Sequence, residues 1–488
     1  MTITVIDRST PGTRPQGGPA LRRILFISYY FPPESSSGVH RALNFVRHLP
    51  SRGWLPTVLT AAPHRYSADS VLDPDLLNRV PAGVTVVRTG GPQILPRRAA
   101  QNVEDRREGL AAKRRWPFNG LRRVKQLQQV NVLVRGWLAL PDDKIGWLPW
   151  AVVRGWCALR ATRHEAIVVT GGPWTAFVVG WMLARLTRLP LVLDYRDPWT
   201  ANPHGPARPE QRRRIEATIE RRIMRAASAI VANTAELRDL LVAMAPDVAP
   251  ARFVTITNGF DPEMLASVRE TPRARGRSTT FVHTGHVYRH RSPEGLFRAL
   301  AELRSSGELR DESVQILFVG DSDIDLTALA NRYEVGSIVQ VRPHVSHRES
   351  LELLRTTDVV LLIQTGTQLQ VPAKVYEYIG AGKPILALTD SKAIARLIRE
   401  MRLGAVCLPS DTASIRSALR QSLERSAGPF DVAPEASRRF RADAIVDQLT
   451  AVLNGVTVVD RGSGQHADGT LGVAGGAPVF TDSRRGLR

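Results

Sequence analysis

Cysteine is the scarcest residue of this 488-residue chain. It occurs twice, as Cys157 and Cys407, which lie far apart and in no metal-binding or redox spacing. That scarcity excludes a disulfide framework and a cysteine-based zinc site, and it indicates a reduced, cytosolic compartment. The sequence also has no Walker A loop and no nucleophile elbow, so neither of those catalytic designs is predicted.

Long hydrophobic runs are missing as well. Residues 1–20 are polar and rich in proline and glycine, without the apolar segment of a signal peptide. Residues 166–184 carry no charge, but Gly171-Gly172-Pro173 interrupts them, which predicts a strand, a turn and a helix. We therefore expect no transmembrane helix and a cytoplasmic location.

Acidic residues are too few to balance the basic ones. There are 46 Asp and Glu against 66 Lys and Arg, a net charge of +20, which suits nucleic acid, anionic lipid or phosphorylated substrates. An arginine-rich proteome explains much of this excess. Residues 97–135 are more extreme, with eleven basic and three acidic residues, and seven of the nine tryptophans lie between Trp116 and Trp181.

Two interpretations of this basic, tryptophan-rich segment are open. It rests on an anionic membrane face, on the inner side of the plasma membrane, because arginine and interfacial tryptophan both favour that position. Alternatively, it forms solvated basic helices with tryptophans in the core. No specific nucleic-acid partner is expected.

What the chain has in abundance is alternation. Short apolar or β-branched runs alternate with longer segments of helical period, which is typical of parallel strands joined by crossover helices. The predicted strands are residues 24–28, 57–60, 84–87, 167–170, 191–194, 229–232, 254–257, 281–284, 314–319, 338–341, 359–363, 385–388 and 405–408. This pattern predicts an α/β protein of two facing Rossmann-like, doubly wound domains with an interdomain cleft.

Composition predicts where these domains begin and end. A polar, basic stretch with no periodicity marks a linker, and a Gly/Ser/Asp-rich end marks a disordered tail. The predicted order is a disordered tail over 1–20, a first domain over 21–268 with a basic helical insertion at 97–150, a linker over 269–278, a second domain over 279–435, a helix over 436–455 that could cross back to the first domain, and a disordered tail over 456–488.

The turn after the first predicted strand has an unusual composition. Residues 29–49 read YYFPPESSSGVHRALNFVRHL, in which Gly38 opens a segment whose apolar residues form one helical stripe. The unpaired N–H groups of a helix start can receive an anion. The stretch alone does not distinguish such a site from an ordinary βα turn.

A second stretch, residues 370–388, reads QVPAKVYEYIGAGKPILAL. Pro372 is a good first helical residue, and Lys374 and Glu377 then share one helix face near the N-terminus. A lysine at a helix start suits a diphosphate, and a carboxylate one turn later can accept hydrogen bonds from a ribose diol. The alternative is a solvent-exposed i,i+3 ion pair, and the spacing favours neither.

These stretches resemble the family 4 glycosyltransferases of the GT-B fold. Residues 281–408 resemble the family's donor domain, and 29–49 its first loop and helix. Further resemblances are LVLDYRDPWT at 191–200, AIVANTAELRDLL at 229–241, ITNGFDP at 256–262 and HTGHVYRHRSPEGLFRAL at 283–300. The resemblance implies a typically retaining transfer of a sugar from a nucleotide diphosphate to a polysaccharide, glycolipid or lipid-linked acceptor.

The resemblance also implies roles for individual residues. Arg291, with Arg289 as its rival, and Lys374 neutralise the donor diphosphate, while Glu377 reaches the ribose. Gly38 and Gly285 let the backbone approach the phosphates. The departing phosphate is thought to accept the acceptor's proton, so no general acid–base pair, no metal and no cofactor besides the donor is expected.

The sequence departs from the family pattern at two places. The family's first glutamate, which contacts the donor sugar, falls on Leu369, beside Gln370. A histidine found after a central strand in many members is replaced by residues 170–174, TGGPW. These departures leave the donor sugar open.

Several other residues are weaker candidates. Asp197 and Asn258 are expected near the cleft. His40 and His283 could line it too, although a lone histidine is more often packed or exposed. Asp194, Arg196 and Asp197 end a strand, where they could bind a ligand or form an internal ion pair, which we slightly favour. The sequence Asp321-Ser-Asp323 imitates a metal-binding DxD motif but is better explained as a βα loop with a helix-capping aspartate.

Two other functions stay open at this level. One is a different GT-B enzyme, such as a sugar-nucleotide epimerase. The other is a non-catalytic basic scaffold for nucleic acid or lipid.

Overall fold

Two parallel β-sheets organise the computed structural model, which describes residues 21–67, 70–91, 139–202, 208–268, 278–425 and 434–462. The first sheet has seven strands, in the spatial order 85–89, 54–61, 22–27, 166–170, 191–195, 229–232 and 253–255. The second has six, in the order 339–342, 314–319, 279–284, 359–364, 385–389 and 404–407. In both sheets the order reverses beside the first strand of the domain, which is the doubly wound arrangement that places ligands at the carboxyl ends of the strands.

The first domain alternates strands and helices as the periodicity predicts. Its strands are β1 (Arg22–Ile27), β2 (Trp54–Ala61), β3 (Thr85–Thr89), β4 (Ala166–Thr170), β5 (Leu191–Tyr195), β6 (Ala229–Ala232) and β7 (Phe253–Thr255). Its helices are α1 (Ser37–His48), α2 (Leu148–Ala161), α3 (Thr175–Thr187), α4 (Glu210–Ala226), α5 (Ala235–Met244) and α6 (Pro262–Ala266).

The second domain repeats the pattern. Its strands are β8 (Thr279–Thr284), β9 (Val314–Val319), β10 (Val339–Arg342), β11 (Val359–Gln364), β12 (Ile385–Thr389) and β13 (Gly404–Cys407). Its helices are α7 (Glu294–Ser305), α8 (Leu326–Arg332), α9 (His347–Thr356), α10 (Ala373–Gly380), α11 (Lys392–Glu400), α12 (Thr412–Arg425) and α13 (Pro434–Arg439). The thirteen predicted strands are all present, so the two-domain α/β expectation is confirmed.

Hydrophobic layers cover both faces of the first sheet. Helices α2 to α5 pack on one face, where apolar residues of β4 and β5 share a buried core with Phe177 and Leu237. Helix α1 packs on the other face through the predicted stripe of Val39, Ala42, Leu43, Val46 and Leu49, each at most 1% exposed. Burying both faces explains why the strands read as continuous apolar runs.

The last helix, α14 (Ala442–Gly462), belongs to the first domain's core. Its residues Val446, Leu449 and Leu453 are buried against α1 and β2. The disordered tail expected from 456 is wrong at its start, because Val456 is buried in the same core and the Thr457 hydroxyl accepts a hydrogen bond from Arg22. These contacts extend the helix to Gly462.

Several expected segments fall outside the described residues. They are the tails at 1–20 and 463–488, the linker at 269–277 and the basic part of the insertion at 92–138. The end of the insertion is described: Trp147 is 1% exposed in the core, whereas Trp150 at the start of α2 is 43% exposed. Among the described residues, no helix is both long and apolar enough to cross a membrane.

Candidate active site

A cleft of about 900 Å³ lies between the two domains at the carboxyl ends of their strands. The first domain lines it with the loop after β1, the start of α1 and residues 258–261; the second domain contributes the end of β8, the residues before α9 and the start of α10. Five of the predicted site residues line this cleft: His40, Asn258, Gly285, Lys374 and Glu377.

Lys374 is held at the first turn of α10. Pro372 is the residue before this helix rather than its first residue, with an extended ψ of 142°. The Lys374 ammonium donates a hydrogen bond to the carbonyl of Thr284 at the end of β8, at 3.0 Å. Burial lowers the pKa of Lys374 to about 8, and the charge of Arg291 acts in the same direction.

Arg291 is the second cation near this point. Its guanidinium lies 4.7 Å from the ring centroid of Tyr288, and its Nε is buried with no hydrogen-bond partner among the described residues. Burial lowers its pKa, as expected for a charge withdrawn from water. Its rival Arg289 is exposed and contacts Asp323 only through a 3.2 Å backbone hydrogen bond. The position of Arg291 therefore fits a paired cation site better than that of Arg289.

Glu377 points its carboxylate to a residue that the sequence did not single out. Its Oε1 lies 2.9 Å from Nε2 of His347 at the start of α9. Burial opposes ionisation of Glu377, yet the hydrogen bond and charge of His347 outweigh it and hold the carboxyl pKa below its ordinary value. Lys374 and Glu377 thus have different partners, so the exposed i,i+3 ion pair is not what forms.

His40 reaches His347 from the opposite domain. Their ring centroids are 4.7 Å apart, at an interplanar angle of 45°. Burial lowers the pKa of His40 to about 4, and the His347 ring adds to the shift. This contact could not be predicted from the sequence, because a histidine at a helix start belongs to no recognisable motif and the two rings lie far apart along the chain.

Both predicted glycines disfavour a side chain, Gly285 through its backbone conformation and Gly38 through packing. Gly285 has a φ of 109°, in the left-handed region that favours glycine, and a Cβ there would be 3.6 Å from Lys374 Nζ. A Cβ on Gly38 would lie 1.5 Å from Nη1 of Arg196. Arg196 is fixed by hydrogen bonds to the carbonyls of Gly171 and Gly172, at 2.7 and 2.6 Å. The Arg196 guanidinium therefore packs against the start of α1.

The expected ion pair among Asp194, Arg196 and Asp197 is wrong in its partners. Asp194 pairs instead with Arg41 of α1, at 2.7 Å, with side chains 1% and 4% exposed. Arg41 also donates to the carbonyl of Thr257, so this buried pair fastens α1 to the segment after β7. The pairing required the tertiary structure, because 153 residues separate the two charges.

A second interdomain contact forms at the position of the missing glutamate. Gln370 donates a hydrogen bond to Asp197, and the Thr234 hydroxyl donates one of 2.6 Å to the Leu369 carbonyl. Burial raises the pKa of Asp197. Leu369 and Gln370 therefore contact the first domain beside the cleft.

The remaining candidates have structural partners. His283 is 1% exposed within β8, so it is a packed histidine rather than a cleft residue. Asn258 accepts a hydrogen bond of 3.2 Å from Arg41. Asp323 holds His286 at 2.8 Å, and the helix cap is Asp325, which accepts from the N–H of Ala328; the capping role expected within 321–323 is wrong by two residues.

Two family models match this chain, one for each domain. Residues 37–259 match the model described as Glycosyl transferase 4-like domain, and residues 278–425 match the one described as Glycosyl transferases group 1. A relative, D-inositol 3-phosphate glycosyltransferase 1 of Catenulispora acidiphila, is 31% identical over 155 residues. That alignment spans 29% of this chain and 37% of the relative's length.

Solved structures share the arrangement of both domains. Sucrose-phosphate synthase from Thermosynechococcus elongatus matches with a TM-score of 0.59 at 14% identity, covering 90% of this chain and 100% of that one. The Anabaena protein HepE, solved in complex with UDP, matches with a TM-score of 0.54 at 15% identity, covering 88% and 99%. At such low identity these matches show the common fold alone.

Proposed function

Because this chain belongs to the family 4 glycosyltransferases of the GT-B fold, we propose that it transfers a sugar from a nucleotide diphosphate to a glycan, glycolipid or lipid-linked acceptor. The diphosphate binds to Lys374 and Arg291, the ribose to Glu377, and the close approach of the phosphates requires Gly285. Both matched domain families support transfer over the alternative of sugar-nucleotide epimerisation.

One observation carries this proposal: Lys374, which lines the cleft, lies within the electrostatic influence of a second cation, Arg291, although Arg291 is not itself among the lining residues. The charge of Arg291 lowers the Lys374 pKa, and the Arg291 Nε has no hydrogen-bond partner among the described residues. Two like charges that share a partly buried site repel each other, so a bound anion would stabilise both. A diphosphate supplies that charge, and Gly285 leaves open space beside the Lys374 ammonium.

The same residues would act during transfer. The bond between the anomeric carbon and the diphosphate oxygen breaks, the acceptor oxygen bonds to that carbon, and the acceptor's proton passes to the departing diphosphate. Negative charge grows on the diphosphate as it leaves, so Lys374 and Arg291 bind the transition state more tightly than the ground state. These steps give retention if the acceptor attacks from the face that the phosphate leaves.

Nucleotide binding tests the proposal before any acceptor is known. Thermal melting is measured with UDP, GDP and a panel of their sugars, in buffer containing EDTA. At about 100 times Kd the expected stabilisation is about 2.7 kcal/mol. It should persist in EDTA, because the two side-chain cations neutralise the diphosphate without a metal. A basic scaffold, by contrast, would show no stabilisation by any of these ligands.

We also propose that the outer surface of α2, α3 and α4 rests on an anionic membrane that carries the acceptor, on the cytoplasmic side. Apolar side chains are exposed along this layer, with Val153 58%, Leu186 55% and Ile215 42% exposed. Between α3 and α4, Trp181, Arg185 and Arg222 line a groove of about 640 Å³. Arginine and tryptophan together favour an anionic bilayer surface.

Co-sedimentation with liposomes tests this location. The protein should pellet with phosphatidylserine-containing vesicles and not with neutral ones, and the double change of Arg185 and Arg222 to Ser should weaken pelleting. Arg348→Ser, an exposed arginine of the second domain, is the control. Equal, negligible binding to both kinds of vesicle would remove the membrane proposal and leave the transferase proposal intact.

A further inference from the structure

His347 contacts two other titratable side chains at the cleft, Glu377 and His40. Its Nε2 lies 2.9 Å from Glu377 Oε1, and its ring lies 4.7 Å from that of His40. Glu377 and His347 belong to the second domain, and His40 to the first. His347 therefore connects the carboxylate assigned to the ribose with α1.

Neighbouring groups and burial set the pKa values of His347 and His40. Burial and the charge of Arg79 oppose protonation of His347, but the hydrogen bond and charge of Glu377, with a smaller effect of Asp73, outweigh them and raise its pKa. His40 stays neutral, because burial holds its pKa at about 4. The arrangement that these neighbours favour is a His347 whose Nε2–H donates to an ionised Glu377.

The hydrogen bond has a geometric consequence for Glu377. The hydrogen bond from His347 to Oε1 restricts the rotation of the carboxylate, and within the described part of the chain the other oxygen accepts no hydrogen bond. A ribose presents two neighbouring hydroxyl donors, and a fixed, ionised carboxylate accepts from them without first losing rotamer freedom. The start of α9 is fixed too, because Ser346 and Glu349 form a capping box.

We propose that His347 is a positioning residue for nucleotide recognition: it holds the Glu377 carboxylate in one orientation for the ribose diol. This inference rests on the proposed function. His347 itself does not touch the reacting atoms.

Ligand pairs that differ only in the ribose isolate this role. We compare the Kd of UDP with that of 2′-deoxy-UDP, and likewise GDP with 2′-deoxy-GDP, with inorganic pyrophosphate as the ligand that lacks ribose. His347→Ala should weaken ribonucleotide binding about tenfold, which is ~1.4 kcal/mol, and bring the ribose-to-deoxyribose ratio close to one. Pyrophosphate binding should not change, since Lys374 and Arg291 remain.

Two further variants distinguish positioning from folding. His347→Gln keeps an N–H donor in reach of Glu377 and should recover most of the ribose preference. Arg348→Gln, the next residue on α9, points to Glu352 at 3.4 Å and is the matched control. Melting temperatures of all variants show whether α9 remains folded.

Each outcome decides a separate question. Tight ribonucleotide binding with an unchanged ribose preference in His347→Ala would overturn this inference and leave the proposed function standing. If the unaltered protein bound pyrophosphate but no nucleotide, the donor site itself would be wrong, and this inference would fall with it.

Discussion

At the scale of single residues, the candidate site holds charged side chains that are partly removed from water. Lys374 has its pKa lowered to about 8 by burial and by Arg291, so the site is assembled at a cost in the unliganded protein. Such perturbed groups are commoner at functional sites than elsewhere, since an anion that binds there repays the cost.

The two cations give the most direct prediction. Lys374→Ala and Arg291→Ala should each lower kcat by about 10²–10³-fold, by analogy with the loss of one transition-state donor. Transfer assays measure this, with melting curves to exclude unfolding. Arg289→Ala and the exposed Lys392→Ala are matched controls in the same domain and should keep nearly full activity. Normal transfer by Lys374→Ala would contradict the assignment.

The lowered pKa predicts a pH dependence with a definite sign. The Lys374 ammonium is present below its pKa of about 8 and is lost as pH rises through it, so kcat/KM should fall on the alkaline side. A guanidinium stays charged throughout this range. Lys374→Arg should therefore be less active at neutral pH but should lose the alkaline fall. A fall at the same pH in both proteins would assign the titration to another group.

At the scale of elements, the Arg196 side chain that packs on the start of α1 restricts which residue can occupy position 38. A Cβ at Gly38 would meet Arg196 Nη1 at 1.5 Å, and Arg196 cannot retreat without breaking its hydrogen bonds to the carbonyls of Gly171 and Gly172. The glycine is thus required by packing against a distant loop rather than by helix propensity.

A double-mutant cycle tests this packing. Gly38→Ala should destabilise the protein by about 1–3 kcal/mol, the cost of a lost charged hydrogen bond. In an Arg196→Ala background the same change should cost much less, because the obstruction is gone. Chemical denaturation measures both. Additive effects would mean that Gly38 and Arg196 do not meet.

At the scale of the whole molecule, α14 ties the end of the chain to its beginning. The helix follows the second domain but packs on the first, where Arg22 donates a hydrogen bond of 3.0 Å to Asn454 and Arg52 one of 2.6 Å to Asp447. The two domains are therefore joined by a second chain crossing, which limits how they can separate.

Truncation of one buried side chain should show this dependence. Leu453 is 0% exposed in the first domain's core, so Leu453→Ala should cost about 2–5 kcal/mol. Val458, 67% exposed on the same helix, is the control, and Val458→Ala should change stability by less than about 0.5 kcal/mol. Equal melting temperatures for the two variants would mean that α14 does not pack there.

The sequence by itself determined the layers of the fold. The periodicity that placed the thirteen strands is local, because apolar runs of four to eight residues and helical stripes depend only on neighbours in the chain. The same local signal placed Lys374 and Glu377 on one turn at a helix start. The end of α14 was placed too early, and the residues after 455 include Val456 and Thr457, whose contacts with the first domain no local pattern reveals.

Only the tertiary structure decided which side chains meet. Glu377 faces His347, 30 residues away, and Asp194 pairs with Arg41, 153 residues away, rather than with the neighbouring Arg196. Such pairs form because the strand order brings the carboxyl ends of separate strands to one edge, and because the two domains close on each other. No periodicity encodes that order, so the partners of the site's charges follow from the folded chain alone.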